Sequence, residues 1–503
     1  MATNAAHAAQ PMNEQVAELT RRFPSGLAGR RIHAVGAGGI GISAVMQLVR
    51  ARGASVSGCD MAESSMWRYL ASQGFSLVRG HSPSHLEDAE GPMDLVVNAP
   101  AVAYLNPDQP ELVVARERGI PVVDWQALLG YLMSGTTGVS VAGVHGKGST
   151  TALLGALAIA GDLDPTIEVG AVVPSWGTNV RAGNGPYFIN EADEWNHNFL
   201  HYHPRLVVLT ALEYDHPEYF GSYDEIRDAF LGFLHGMDVR PGPGLPPTLI
   251  LNADNAGCRD LRARLGADWP GEVRTFALDD PEADGRATDI VVAGDTSFRL
   301  TLRGRDLGGI TLHTPGEHNI ANAVAAAVAA EALGVPTEVI APTLTTFPGL
   351  RRRFEITEGA HGVTFVDDYA HHPHAVALTL ATARRRFPGR RLVAVFQPTL
   401  FTRLHRFLTP FSEAFDDADE VVIVEIQSSR EHDTGLVHGR DLVHAIQRRP
   451  AYAGREASVR YGGDFDETVA TLRPILRAGD VLVVTGSGPV NRIIPPLRDN
   501  PTA

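Results

Sequence analysis

Lys147 is the only lysine in a chain of 503 residues. It lies inside Gly143-Val144-His145-Gly146-Lys147-Gly148-Ser149-Thr150-Thr151, after the apolar residues 138–142 and before the helix-forming residues 151–158. A lysine ammonium is a compact point charge that reaches between phosphate oxygens, where the flat arginine fork fits differently. Strand, glycine loop, lysine, hydroxyls and helix together make a cradle of backbone N–H groups at a helix N-terminus. Gly143, His145, Gly146, Lys147, Gly148, Ser149 and Thr150 are therefore candidates to line a nucleotide phosphate site. The alternative is an ordinary strand-to-helix turn that happens to hold a lysine.

Two acidic and histidine-bearing stretches follow later apolar runs. Glu191-Ala192-Asp193-Glu194 ends the run 187–190, and Asp215-His216-Pro217 follows the run 205–210. Strand ends in an open α/β sheet converge on the ligand crevice. Ser149, Glu191 and His216 are thus candidates for a Mg²⁺ beside the phosphates, Mg²⁺ preferring oxygen ligands and retained waters. A local turn is the alternative for Asp215-His216. His318-Asn319-x-x-Asn322 opens an alanine-rich helix, where an amide either caps the helix or reads an adenine edge. Arg351-Arg352-Arg353 follows Pro348-Gly349 and is either a solvated face or a hinged arm for a terminal phosphate. Asp367-Asp368-Tyr369-Ala370-His371-His372-Pro373 is poor core material and points to a site. The stretch from Gln397 to Arg403 ends the next strand on the same side.

A first glycine loop, Gly36-Ala37-Gly38-Gly39-Ile40-Gly41, follows the run 31–35, and Asp60 ends the second strand. Such a loop lets backbone approach a diphosphate while an acid takes a ribose hydroxyl. NAD fits that pattern, and so does the diphosphate of a UDP-sugar.

These residues need elements to hold them. The length suggests about three domains. Residues 1–30 read as a loose lead-in. Strands alternating with helices over 31–135, 136–346 and 347–503 indicate parallel sheets covered on both faces. The net charge of −15 disfavours nucleic acid as a partner. No apolar run approaches the ~20 residues of a membrane span, and no secretion signal opens the chain, so a cytoplasmic protein without membrane insertion is expected. Two cysteines, Cys59 and Cys258, form neither a disulfide framework nor a zinc cluster, which fits a reducing compartment.

Taken together, the motifs resemble those of the Mur ligases, the ATP-dependent ligases of peptidoglycan precursor synthesis. The resemblance runs from about residue 31 to 495. It rests on the Gly36-to-Ser43 loop, Gly177-Thr-Asn179-Val-Arg181, Glu191-to-Glu194, Asp215-His216, His318-Asn319, Arg352-Arg353 and Asp368-to-Pro373. It implies an α/β fold with Rossmann-like N- and C-terminal domains around a central P-loop ATPase domain. Residues 31–135 would bind the UDP substrate, 136–346 ATP, and 347–503 the incoming amino acid. ATP and Mg²⁺ are the expected cofactors. UDP-N-acetylmuramate and an amino acid, L-alanine foremost, are the expected partners of a monomer or weak homodimer.

The resemblance also implies roles. Lys147 would hold β- and γ-phosphate oxygens, and Ser149, Glu191 and His216 would place the metal. Asn319 would read adenine, with Arg352 and Asp368 also at the nucleotide. Gly36, Gly38, Gly39, Ile40, Gly41, Asp60, Asn179 and Arg181 would hold the UDP substrate. Tyr369, His371, His372 and Arg403 would meet the amino acid, His371 as a catalytic group. The chain departs from the family pattern at Gly148, Ala211, Glu317, Thr399 and Gln427. Thr399 and Gln427 bear on amino-acid selection. A ligase that joins a whole tripeptide, a nucleotide-binding homologue with impaired chemistry, and an NAD-linked dehydrogenase are the rival expectations.

Overall fold

Short apolar runs alternate with helices, and each run becomes a strand in one of three main sheets. The computed structural model describes residues 12–217, 219–242, 244–428 and 431–499. The first sheet has five parallel strands in the order Ser76–Arg79, Ser55–Asp60, Arg31–Val35, Leu95–Asn98, Val122–Asp124. The strand order reverses at Arg31–Val35, and the first glycine loop leaves that strand's C-terminal end, where an α/β sheet opens its ligand crevice.

The second sheet has ten strands. Its parallel heart sets Thr137–Ala142 between Tyr187–Ala192 and Leu206–Leu209. Ala142 pairs with Ala192 on one side and Leu209 on the other, so all three strands end at one level. This register is what brings the phosphate loop, the acids after Glu191 and the Asp215-His216 turn to one place. The sequence reading missed an antiparallel meander at the far edge, Gly285–Val291, Thr296–Leu302 and Arg305–Leu312. Polar and apolar residues alternate imperfectly there, and the hairpins pack on the alanine-rich helix Glu317–Ala332.

The third sheet has six strands in the order Glu355–Glu358, Thr364–Asp368, Val481–Thr485, Leu392–Phe396, Glu420–Val424, Val459–Gly463. Only the Glu355–Glu358 edge runs antiparallel. The α/β class with Rossmann-like outer sheets and a central P-loop sheet is as expected.

The lead-in differs from its expectation. Residues 1–11 lie outside the described residues, but Met12–Arg22 is a helix rather than a loose segment. It packs on the helix Trp125–Met133 of the first unit and on the turn 195–201 of the second. Leu19, Phe23 and Leu27 are buried, and Tyr131 Oη donates to Phe23 O at 2.6 Å. Polar residues flank these anchors, so the apolar stripe is narrow and hard to see in the sequence. Leu19 is fully buried, and Leu19→Ala is expected to cost roughly 2–5 kcal/mol through lost contact and a residual cavity. Chemical denaturation checks this; an unchanged midpoint would mean that the helix does not dock.

Candidate functional site

The phosphate loop turns on two glycines with left-handed backbone, Gly143 (φ +129°) and Gly146 (φ +82°). A Cβ on Gly143 would run into Thr210 Oγ1, and one on Gly146 into Asn322 Oδ1. Both sites thus need glycine for conformation and for room. The helix Lys147–Ala160 starts directly after Gly146, so its first N–H groups face the loop. Thr150 Oγ1 donates to Asn322 Oδ1 at 3.3 Å, which ties this helix to the helix Glu317–Ala332.

Lys147 folds back over the loop. Its Nζ donates to Gly143 O at 2.7 Å and to Glu194 Oε2 at 2.7 Å. Burial would discharge the ammonium, but the carboxylates of Glu194, Asp193 and Glu191 outweigh it and raise the lysine above its usual range. Glu194 is fully buried, and its Oε1 accepts no hydrogen bond among the described residues. That oxygen faces His216 Nε2 at 3.7 Å. Donor atoms of Asp193, Glu194 and His216 all lie within 4.8 Å of one another. Two carboxylates and an imidazole beside a phosphate loop suit a divalent cation that keeps several waters, and the idle buried oxygen of Glu194 is a ready ligand.

Glu191 takes another post. Its Oε2 accepts from Gly170 N at 2.8 Å, and a Cβ on Gly148 would stand 3.0 Å from the same oxygen. Gly148 therefore leaves room for Glu191 against the loop. Ser149 lines a small cavity with Asn319, Leu344, Phe347 and Arg353. Among the three residues expected at the metal, the structure groups only His216 with other donors, and the acids beside it are Asp193 and Glu194.

His216 sits in a left-handed backbone conformation (φ +56°), and its N–H is taken by its own neighbour, Asp215 Oδ1, at 2.6 Å. Such strain persists where surrounding contacts hold it. Among the described residues, Arg403 of the third unit contacts this turn. Its Nη2 reaches Asp215 Oδ1 at 3.2 Å and His216 Nδ1 at 3.3 Å. Burial pushes the Asp215 carboxyl up, yet Arg403 and nearby histidines hold it well below the usual carboxylate range.

The two arginines after the Pro-Gly hinge diverge. Arg352 Nη2 donates to Gly486 O and to Gly488 O at 2.8 Å, and its Nε lies 3.5 Å from Asp367. It is thus bound to its own unit. Arg353 instead lines the cavity beside Ser149, lies within 3.9 Å of where a Gly148 Cβ would be, and stacks over Tyr369 at 5.0 Å. Asp368 accepts from Phe354 N at 2.7 Å and Ala370 N at 2.8 Å, so it shapes the turn. Asn319 Nδ2 donates to Pro315 O at 2.8 Å and does not cap the helix, whose N-cap is Gly316.

His371 Nδ1 lies 3.0 Å from Tyr369 O, and burial followed by the Arg403 charge keeps it neutral. His372 is held down to about 4, chiefly by burial, and neither ring nitrogen has a hydrogen bond among the described residues. Its ring lies 5.7 Å from His145 of the phosphate loop, and His374 stacks on His145 at 6.0 Å. His145 in turn faces Glu213 at 3.7 Å. His374 and Glu213 escaped the sequence reading, although each adjoins a motif that did not.

At the first glycine loop, Gly38 N donates to Asp60 Oδ2 at 2.9 Å and Ala62 N to Oδ1 at 3.0 Å. Asp60 thus braces the loop, and both oxygens are engaged. Gly36 turns at φ +89°, and a Cβ on Gly41 would overlap the Trp125 indole. Gly39 precedes the helix Ile40–Ala51 as its N-cap. Asn179 Nδ2 donates to Ile40 O at 2.8 Å, joining the second unit to this loop. Arg181 is turned away, bonded to Asp164 Oδ1 at 2.5 Å and Pro165 O at 2.8 Å.

Three family descriptions match consecutive parts of the chain. These are the Mur ligase family catalytic domain over residues 31–137, the Mur ligase middle domain over 141–330, and the Mur ligase glutamate ligase domain over 352–488. A UDP-N-acetylmuramate–L-alanine ligase of Sorangium cellulosum is 36% identical over 472 residues, 93% of this chain and 96% of the relative. The crystal structure of the UDP-N-acetylmuramate-alanine ligase of Thermotoga maritima superposes with a TM-score of 0.75 at 25% identity, over 92% of this chain and 98% of that one. A murein peptide ligase from Psychrobacter arcticus shares the fold, with a TM-score of 0.69 at 23% identity over 92% and 97% of the two chains. Loop, acids, histidines and overall likeness agree: the chain belongs to the Mur ligase family.

Proposed function

We propose that this chain is an ATP-dependent ligase that joins L-alanine to UDP-N-acetylmuramate in peptidoglycan precursor synthesis. One observation carries the reading at the level of chemistry. A sole lysine is held charged over a glycine loop, against a buried carboxylate whose second oxygen is idle. The choice of substrates follows the relatives' names and the likeness over nearly the whole length of each.

In this proposal the three sheets divide the work. Residues 31–135 hold the UDP substrate, 136–346 hold ATP, and 347–503 present the amino acid. The lactyl carboxylate attacks the γ-phosphorus, the bond to the β-phosphate oxygen breaks, and an acyl phosphate and ADP result. The alanine amine then attacks the acyl carbon, and phosphate leaves. Both steps need position and charge neutralisation more than covalent help from protein. Lys147 moves its ammonium from Glu194 towards the β- and γ-oxygens. Arg353, already at the loop, adds a second positive charge from the third unit, while Arg352 fixes the hinge on which it sits. Asp193, Glu194 and His216 would hold Mg²⁺, which when bound neutralises phosphate charge. His371, neutral in its buried setting and with Nδ1 engaged by Tyr369 O, would offer its Nε2 lone pair as a hydrogen-bond acceptor that orients the incoming amine. Asn179 and the Gly36–Gly41 backbone bring the UDP substrate to the edge of the second unit.

Gly148, Ala211 and Thr399 motivate the impaired-homologue reading; at Gly148 the missing side chain leaves room for Glu191. Thr399 and Gln427 bridge one another at the strand ends, and Thr399 Oγ1 lies 2.7 Å from Ser487 Oγ. The two departures near the expected amino-acid pocket thus form one local arrangement. Phosphate release from ATP that requires both UDP-N-acetylmuramate and L-alanine tests the proposal. Release with a tripeptide but not alanine would favour the recycling reaction, and ATP binding without turnover would favour an impaired homologue.

Two substitutions test the site. Lys147→Arg should keep the fold by circular dichroism yet lower turnover by at least about 100-fold, the scale of losing one transition-state donor. Wild-type rates in that variant would rule out the point-charge role. Glu194→Gln should lower turnover at least as far and raise the Mg²⁺ concentration needed for half-maximal rate. A variant with unchanged Mg²⁺ dependence would remove Glu194 from the metal set.

A further inference from the structure

The first unit contains a second constellation, remote in role from the phosphate chemistry. Five side chains able to bind metal converge on one face of its sheet. His33 comes from the strand Arg31–Val35 and Cys59 from Ser55–Asp60. His81 and His85 come from the loop and short turn around Pro83–Leu86, and Glu111 from the helix Pro110–Glu117. Around them the layer is apolar, with Val35, Leu86, Val96, Leu112 and Ala115 buried. A polar cluster in such a layer is costly unless its members satisfy one another or an ion.

Their spacing is that of a coordination shell. Cys59 Sγ lies 3.4 Å from His33 Nε2, 3.4 Å from His81 Nδ1 and 3.3 Å from Glu111 Oε1. Glu111 Oε1 is also 3.1 Å from His85 Nδ1. Donor atoms of His33, Cys59, His85 and Glu111 all lie within 4.8 Å of one another. Zinc bond lengths of 2.0–2.3 Å imply tetrahedral edges of about 3.3–3.8 Å. Within the set of His33, Cys59, His85 and Glu111, three separations of 3.1–3.4 Å sit at or just inside that range and the others lie within 4.8 Å, so modest shifts would admit an ion.

The outer partners fit as well. Ser57 Oγ lies 2.9 Å from His33 Nδ1, which lets Nδ1 donate and leaves the Nε2 lone pair towards Cys59. Glu111 is anchored by Ser82 N at 2.9 Å and by Gln109 Nε2. One thiolate, one carboxylate and two neutral imidazoles cancel the charge of a divalent ion, as a dry site requires. His33 and Glu111 are buried, whereas His81 and His85 remain partly exposed and offer a route in.

We propose that His33, Cys59, His85 and Glu111 form a structural site for a thiophilic divalent ion of the zinc class, with His81 at its entrance. Binding converts the Cys59 thiol to a thiolate and releases its proton to solvent. This departs from the expectation drawn from the cysteine count, that Cys59 takes part in no zinc cluster, because histidines and a glutamate supply the ligands that thiolates do not. The site braces the first glycine loop, because Cys59 O accepts from Gly36 N at 2.8 Å and Ala37 N at 3.0 Å.

The test uses the full chain, reduced, stripped with chelator and titrated with Co²⁺ alone. The proposal expects intense tetrahedral visible bands with a sulfur-to-cobalt charge-transfer band, saturating at one equivalent and abolished by Zn²⁺. Cys59→Ser should remain folded by circular dichroism and lose the charge-transfer band, while Cys258→Ser keeps it. His85→Asn, on the partly exposed loop, should weaken Zn²⁺ binding at least tenfold. Absence of the charge-transfer band in the wild type, its survival in Cys59→Ser, or unchanged Zn²⁺ affinity in His85→Asn would overturn the assignment.

Discussion

The ammonium of Lys147 lies between a loop carbonyl and the buried carboxylate of Glu194, and the architecture of the second unit serves that contact. A lone buried carboxylate would take up a proton, and a lone buried ammonium would lose one. Together they remain a charged pair, and removing either partner strands the other. The pair needs the phosphate-loop strand to end level with its neighbour, which the register of Ala142 with Ala192 provides. It also needs the loop to turn tightly enough for Nζ to fold back, which the left-handed Gly143 and Gly146 allow.

Contacts from the other units converge on the same place. Arg403 crosses from the third unit to Asp215 and His216, while His372 and His374 face His145. Further out, Arg385 meets Glu317 at 3.2 Å and Arg386 meets Asp295 at 3.1 Å. Exposed pairs of that kind add little stability. The Arg403 contact differs, since it is buried and neutralises an acid beside a strained histidine. On the opposite side, Thr178 and Asn179 bond Gln47 and Ile40, so the first glycine loop is positioned by the second unit itself.

The sequence revealed the motifs, and most of the strands that carry them, because these depend on local pattern. Glycines before a lysine and a helix, or acids after an apolar run, have few other uses. What it concealed was the choice among neighbours. Glu191 and Glu194 lie three residues apart, and Arg352 and Arg353 are adjacent; which acid pairs with Lys147 and which arginine reaches the loop depends on backbone turns that only the folded chain displays. Asp60 and Arg181 looked available for ligand, yet each has a protein partner nearby that the sequence does not advertise. The helix Met12–Arg22 was unreadable for a different reason: its few apolar anchors gain their meaning from a surface shared by two units.

The most direct measurement is a crystal structure with Mg²⁺ and an unreactive ATP analogue bound. The account predicts Lys147 Nζ within hydrogen-bonding distance of the β- and γ-phosphate oxygens, with the metal on Glu194. A triphosphate bound elsewhere, with Lys147 still closed on Glu194, would contradict it.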